Sequence, residues 1–126
     1  MVSILIADDD VQFNQMLSDY LTLQGHRVIS ARDGKQALTC FIDEKPDIAI
    51  IDIRMPKKDG LDFLLKVRDT DMHQAKGIIL ISGTDNTRGS GYSEIVRQLG
   101  ASDFLHKPFS LDLIGEKIQS ILELTE

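Results

Sequence analysis

The chain is short of cysteine, of basic charge and of long apolar runs, and each shortage removes a class of function. Cys40 stands alone, so it cannot close an internal disulfide, and its place on a helix reads as an apolar filler rather than a redox group. Lys and Arg number 14 against 20 Asp and Glu, a formal net charge of −6. DNA-binding surfaces concentrate cations to displace counterions, so nucleic acid is not expected as a direct partner. The longest apolar runs, such as Ile48 to Ile51 and Ile78 to Ile81, have strand length and fall far short of a bilayer crossing, so no membrane segment is expected. The amino terminus, Met1-Val2-Ser3-Ile4-Leu5-Ile6-Ala7, meets acid at once and carries neither a basic stretch nor a small-residue cleavage site. It does not read as a signal peptide, and the expected location is cytoplasmic. With no internal repeat, linker or low-complexity tail, 126 residues of which 42% are hydrophobic suit one domain spanning 1–126.

What is present is a regular alternation. Strand-like stretches recur at Val2 to Ala7, Arg27 to Ser30, Asp47 to Ile51, Gly77 to Ser82 and Asp103 to His106, each followed by a segment of helical spacing. In the first helix Phe13, Met16, Leu17, Tyr20 and Leu21 follow one buried stripe, with Gly25 just past the end. Asp33 is placed to cap the second helix, with Ala37, Leu38 and Phe41 inward, and Pro46 ends the connection after it. The third is expected to bury Leu61, Leu64 and Leu65, and the last to bury Leu111, Ile114, Ile118 and Ile121 behind Ser110. Strands reading Ile-Ala-Ile-Ile and Ile-Ile-Leu-Ile are apolar on both faces, as parallel strands covered on both sides must be. The fold class is therefore α/β, a doubly wound sandwich of five β-α units around a five-stranded parallel sheet. Its ligand crevice lies at the carboxyl ends of the strands. One segment is irregular: from Gly83 to Ser93 three glycines and few apolar anchors predict a short fourth helix after a loop.

The strand ends carry the chemistry. Asp8, Asp9 and Asp10 follow the first strand and Asp52 follows the third, so the fold delivers several carboxylates to one edge. Asp10 reads best as a helix N-cap. Asp8, Asp9 and Asp52 repel one another unless a cation neutralises them or one is protonated, and a site with few carboxylates and several waters suits Mg²⁺. A solvated acidic edge is the alternative. Ser82 closes the fourth strand with a hydroxyl and Lys107 closes the fifth with an ammonium. Singly these are ordinary turn and surface residues. Together with a carboxylate nucleophile and a divalent ion they make a set that can hold a phosphoryl group through a loose transition state.

Four stretches in order carry a resemblance: Ile4-Leu5-Ile6-Ala7-Asp8-Asp9-Asp10; Asp47 through Asp52 to Met55-Pro56-Lys57-Lys58-Asp59-Gly60; Leu80-Ile81-Ser82-Gly83; and Gly100 through Phe104 to Lys107-Pro108-Phe109. Together they resemble the successive motifs of the receiver domains of bacterial two-component response regulators, over essentially the whole chain. The resemblance implies flavodoxin-like strand order 2-1-3-4-5. It implies that Asp52 takes a phosphoryl group from a phosphohistidine on a sensor histidine kinase or a histidine phosphotransfer protein. Asp9, Asp52 and the backbone carbonyl of Arg54 are then direct Mg²⁺ ligands, with Asp8 acting through water. Lys107 pairs with a phosphoryl oxygen, and the Lys107-Pro108 bond is expected to be cis. Gly60 and Met55-Pro56 shape the loop after the acceptor. Ser82 moves towards the phosphate and Phe104 reorients inward, and the fourth helix, fifth strand and fifth helix report the change to a target protein or a covalently linked output domain. Such a chain is a phosphoacceptor switch and not an enzyme in the usual sense, since it catalyses only its own phosphorylation and dephosphorylation.

There are departures from the family pattern. Phe104 stands where tyrosine is frequent, so packing can switch but a phenol hydrogen bond cannot form. Ser82 is an accepted substitute for threonine. Arg54 and Thr84 occupy positions that tune dephosphorylation, and a bulky cation at 54 is expected to hinder the attacking water. The run from Ser82 to Lys107 is roughly three residues longer than usual, on the output side. Among rivals, a haloacid-dehalogenase-like phosphatase needs a second acid where Arg54 stands, and a flavin binder needs a Gly/Ser/Thr phosphate cradle where three acids stand. A receiver with vestigial phosphorylation, acting only as an interaction domain, is the remaining alternative.

Overall fold

A computed structural model of the protein describes residues 2–53, 60–68, 75–82, 98, 100–107 and 109–124. The elements are β1 (Ser3–Ala7), α1 (Val11–Leu23), β2 (Arg27–Ala31), α2 (Gly34–Glu44), β3 (Ile48–Asp52), α3 (Gly60–Arg68), β4 (Gly77–Ser82), β5 (Asp103–His106) and a C-terminal helix (Leu111–Leu124). The strands pair in parallel in the order β2-β1-β3-β4-β5. This is the doubly wound architecture and strand order expected. The expected fourth helix and the irregular segment from Gly83 lie outside the described residues, as do Arg54, Met55-Pro56, Thr84 and Pro108.

Alternation along the strands divides the core into two layers. Leu5, Ala49, Ile51, Leu80 and Phe104 face α2 and α3, where Phe41, Phe63, Leu64 and Val67 meet them. Ile4, Ile6, Ile50, Ile79 and Ile81 face α1 and the C-terminal helix, where Leu17, Leu21, Ile114, Ile118 and Ile121 meet them. Among the described residues no helix is long and apolar enough to cross a membrane.

The caps follow the local chemistry of their residues. Asp10 accepts from the Phe13 amide at 3.1 Å and begins α1. Asp33 accepts from the Gln36 amide at 2.7 Å and begins α2, while the Gln36 side chain accepts from the Arg32 amide at 2.8 Å. Ser110 accepts from the Leu113 amide at 3.1 Å ahead of the last helix.

Two expected core residues point elsewhere. Met16 is 49% exposed, because the inward stripe of α1 runs through Asn14, Leu17 and Leu21, with Phe13 and Tyr20 half-buried beside it. Leu65 is 43% exposed, because α3 turns Phe63, Leu64 and Val67 to the sheet and leaves Leu65 on the far side. The side chain of Leu61 lies outside the described ones. Cys40 is half-buried against the α2 core layer, and burial, then Glu44 and Asp43, hold its thiol above the ordinary pKa.

Candidate functional site

Register assembles the site. β1 and β3 are neighbours with Ala7 opposite Ile51, which sets Asp8 beside Asp52 at the point where the strand order reverses. Asp52 is the last residue of β3 and not the first residue after it; it pairs with Ile81, and Ser82 pairs with His106. The Lys107 amide then donates to the Ser82 carbonyl at 2.7 Å, which carries the fifth strand's lysine to the same edge.

Asp8 is fully buried and Asp52 is 6% exposed, while Asp9 faces solvent. Both carboxylate oxygens of Asp8 are engaged: Oδ1 accepts from the Asp10 amide at 2.9 Å and Oδ2 from Lys107 Nζ at 2.6 Å. Lys107 also reaches Asp52 Oδ2 at 3.4 Å, so one ammonium bridges two strand ends. Burial lowers the Lys107 pKa; the hydrogen bond and charge of Asp8, with the charge and hydrogen bond of Asp52, outweigh it and hold the pKa above the ordinary value. The ammonium further lies 4.0 Å from the centre of the Phe13 ring, whose edge packs against Phe109 at 5.8 Å.

Ser82 is fully buried, on the same face of the sheet as Leu80, and Phe104 is buried in the same layer with its ring edge-on to His106 at 4.9 Å. The inward position expected of Phe104 on phosphorylation is therefore one its ring already holds.

The donor set suits a hard divalent cation. Asp8, Asp9 and Asp52 each offer an oxygen, all within 4.8 Å of one another. Carboxylates gathered at a half-buried edge repel one another, and a divalent ion with oxygen ligands offsets that repulsion beside the Lys107 ammonium. Thus Asp8, Asp9, Asp52, Ser82 and Lys107 come to one edge, as expected, and the Arg54 carbonyl lies outside the described residues.

Two neighbours of the site were not anticipated from the sequence. Phe13 reads as core by spacing alone, yet its ring also meets the Lys107 ammonium. Asn14 is buried where the stripe of α1 calls for an apolar residue, and a polar residue three and seven positions before Leu17 and Leu21 is the signal that could have found it.

Comparison with known proteins agrees with this geometry. The family model described as the response regulator receiver domain matches residues 4–119. The transcriptional regulatory protein CpxR of Klebsiella pneumoniae subsp. pneumoniae (strain HS11286) is 37% identical over 123 residues, 97% of this chain and 50% of that protein. CpxR of Escherichia coli (strain K12) is 38% identical over the same shares. The chain spans about half the length of the curated relatives it matches. Among solved structures, the Francisella response regulator 1452 receiver domain superposes with a TM-score of 0.90 at 27% identity, covering 100% of both chains. The chemotaxis response regulator CheY4 of Vibrio cholerae gives 0.83 at 26% identity, covering 96% of this chain and 98% of that one. The matched sequence, the strand order and the acids gathered at the strand ends lead to one conclusion: the chain belongs to the response regulator receiver domain family.

Proposed function

We propose that residues 1–126 form one receiver unit that takes a phosphoryl group on Asp52 from a phosphohistidine of a sensor histidine kinase or a phosphotransfer protein. A carboxylate oxygen of Asp52 attacks phosphorus in line, the P–N bond to the donor imidazole breaks, and the imidazole leaves with the electron pair. The observation that carries this reading is the bridge from Lys107 Nζ to both Asp8 and Asp52. A cation already aimed at the acceptor carboxylate can follow the charge as it moves onto the phosphoryl oxygens.

In this reading Asp9, Asp52 and the Arg54 carbonyl hold Mg²⁺, with Asp8 acting through water, its own oxygens being engaged by Asp10 and Lys107. Bound there, Mg²⁺ supplies charge neutralisation for the phosphoryl oxygens. Ser82 donates its hydroxyl to a phosphoryl oxygen, and that bond favours the inward position of Phe104 over others. The signal leaves through β5 and the C-terminal helix, which the Lys117–Asp103 ion pair joins at 2.9 Å, together with the fourth helix. The recipient is a target protein or a covalently linked output domain, the setting is the cytoplasm, and the turnover is the chain's own phosphorylation and dephosphorylation.

Incubation with acetyl phosphate and Mg²⁺ is expected to add one phosphoryl group by intact-mass spectrometry, and Asp52→Asn to lose that addition entirely. Labelling that persists in Asp52→Asn overturns the assignment.

A further inference from the structure

The buried amide of Asn14, on α1, is bonded to the backbone of a site residue. Its Nδ2 donates to the carbonyl oxygens of Asp8 and Ala31, each at 3.2 Å. Its Oδ1 accepts from Ser30 Oγ at 3.0 Å and from Ser18 Oγ at 3.3 Å. Both donors and both lone pairs of the amide are thereby used. Asparagine is a poor helix former, and a buried amide is costly unless bonded, so its place on the Leu17–Leu21 stripe needs a reason beyond filling space.

We infer that Asn14 is a positioning residue for the cation-binding acids. The peptide that joins Asp8 to Asp9 is planar, so fixing the Asp8 carbonyl fixes the Asp9 N–H and the direction in which the Asp9 chain leaves β1. The Asp8 amide is held as well, donating to the Ala31 carbonyl at 3.1 Å. The Asp8 carboxylate is held separately, by the Asp10 amide and Lys107. Asn14 therefore governs the backbone on which Asp9 stands, and through it the approach of the Asp9 carboxylate to Asp52 within the 4.8 Å cluster. Ser18 and Ser30 orient the amide: rotated half a turn, Oδ1 would face two carbonyl oxygens. The edge strand β2 thus enters the site through Ser30.

The inference rests on the phosphoacceptor reading, and its test separates the two. Mg²⁺ is titrated calorimetrically into the unphosphorylated wild type, Asn14→Leu and Ser30→Ala, with thermal midpoints recorded without Mg²⁺. Asn14→Leu, close in shape and without hydrogen bonds, is expected to bind Mg²⁺ about tenfold more weakly, as outer partners of metal ligands do. Ser30→Ala, at an exposed position, keeps the fold and is expected to bind about two- to threefold more weakly through a less firmly oriented amide. Wild-type Mg²⁺ affinity in both variants, with only the thermal midpoint lowered, would mean a purely structural role and overturn the inference. Should Asn14→Leu fail to fold, unchanged affinity in Ser30→Ala overturns it alone. A wild type that binds no Mg²⁺ overturns the cation site of the phosphoacceptor reading itself, and this inference with it.

Discussion

Lys107→Met is expected to lower folding stability by about 3 kcal/mol, the figure for removing one partner of a buried ion pair, here the cation of Asp8. Asp8 is fully buried and Asp52 nearly so, and the lysine side chain between them is 17% exposed. Methionine fills much of the same space but takes from the buried Asp8 carboxylate the ammonium that meets its Oδ2. Two further signatures separate this cause from a packing defect. Mg²⁺ should return more stability to the variant than to the wild type, because a bound cation then supplies the charge that lysine supplied. The effect of pH should also differ. The Lys107 pKa is raised on folding, so its contribution is complete below the unfolded value of about 10.4 and is lost as pH climbs through the higher folded value. The gap between wild type and Lys107→Met should be constant from neutral pH to about 10 and then close. Urea midpoints at several pH values, at unchanged m, measure all three. A variant as stable as the wild type, or a gap independent of both Mg²⁺ and alkali, contradicts the bridge.

Phe63→Ala is expected to cost about 3 to 5 kcal/mol, whereas Leu65→Ala in the same helix should fall within about 0.5 kcal/mol. Phe63 is fully buried and meets Phe41 edge-on at 5.4 Å, joining α2 to α3 over the sheet. Its removal opens a cavity in the layer that also holds Phe104, so the damage extends towards the switch aromatic. Denaturation midpoints of the two variants give the comparison, and equal costs would contradict the orientation of α3.

That pair shows where sequence periodicity stops being sufficient. Leu61, Leu64 and Leu65 satisfy the i, i+3, i+4 template, but so short a helix also permits a stripe through Phe63, Leu64 and Val67. Which stripe faces inward depends on Phe41, across in α2, and no local pattern reports that partner. Met16 failed for a related reason: the template counts apolar residues, while α1 buries Asn14 for its hydrogen bonds. β1, β3 and β4 were legible because both of their faces are buried, so their sequences are continuous apolar runs of strand length. Their order was not in the periodicity at all; the resemblance supplied it. Asp8, Asp9, Asp52, Ser82 and Lys107 were legible as strand-end residues of the right chemistry. What stayed hidden was the pairing within the set. Lys107 was expected to meet a phosphoryl oxygen, and in this structure it holds Asp8 and Asp52 across separations of 99 and 55 residues.

Three acids whose oxygens lie within 4.8 Å of one another could each attack a phosphoryl donor's phosphorus, and only one is expected to take the group. Loss of labelling in a variant tests necessity; locating the acyl phosphate tests identity. Borohydride reduces an aspartyl phosphate to homoserine, which marks the acceptor through proteolysis and peptide sequencing by mass spectrometry. After reaction with acetyl phosphate and Mg²⁺, homoserine is expected at position 52 and aspartate at positions 8 and 9. Homoserine at position 8 or 9, or none at 52 in protein that carries the phosphoryl mass, would contradict Asp52 as the acceptor.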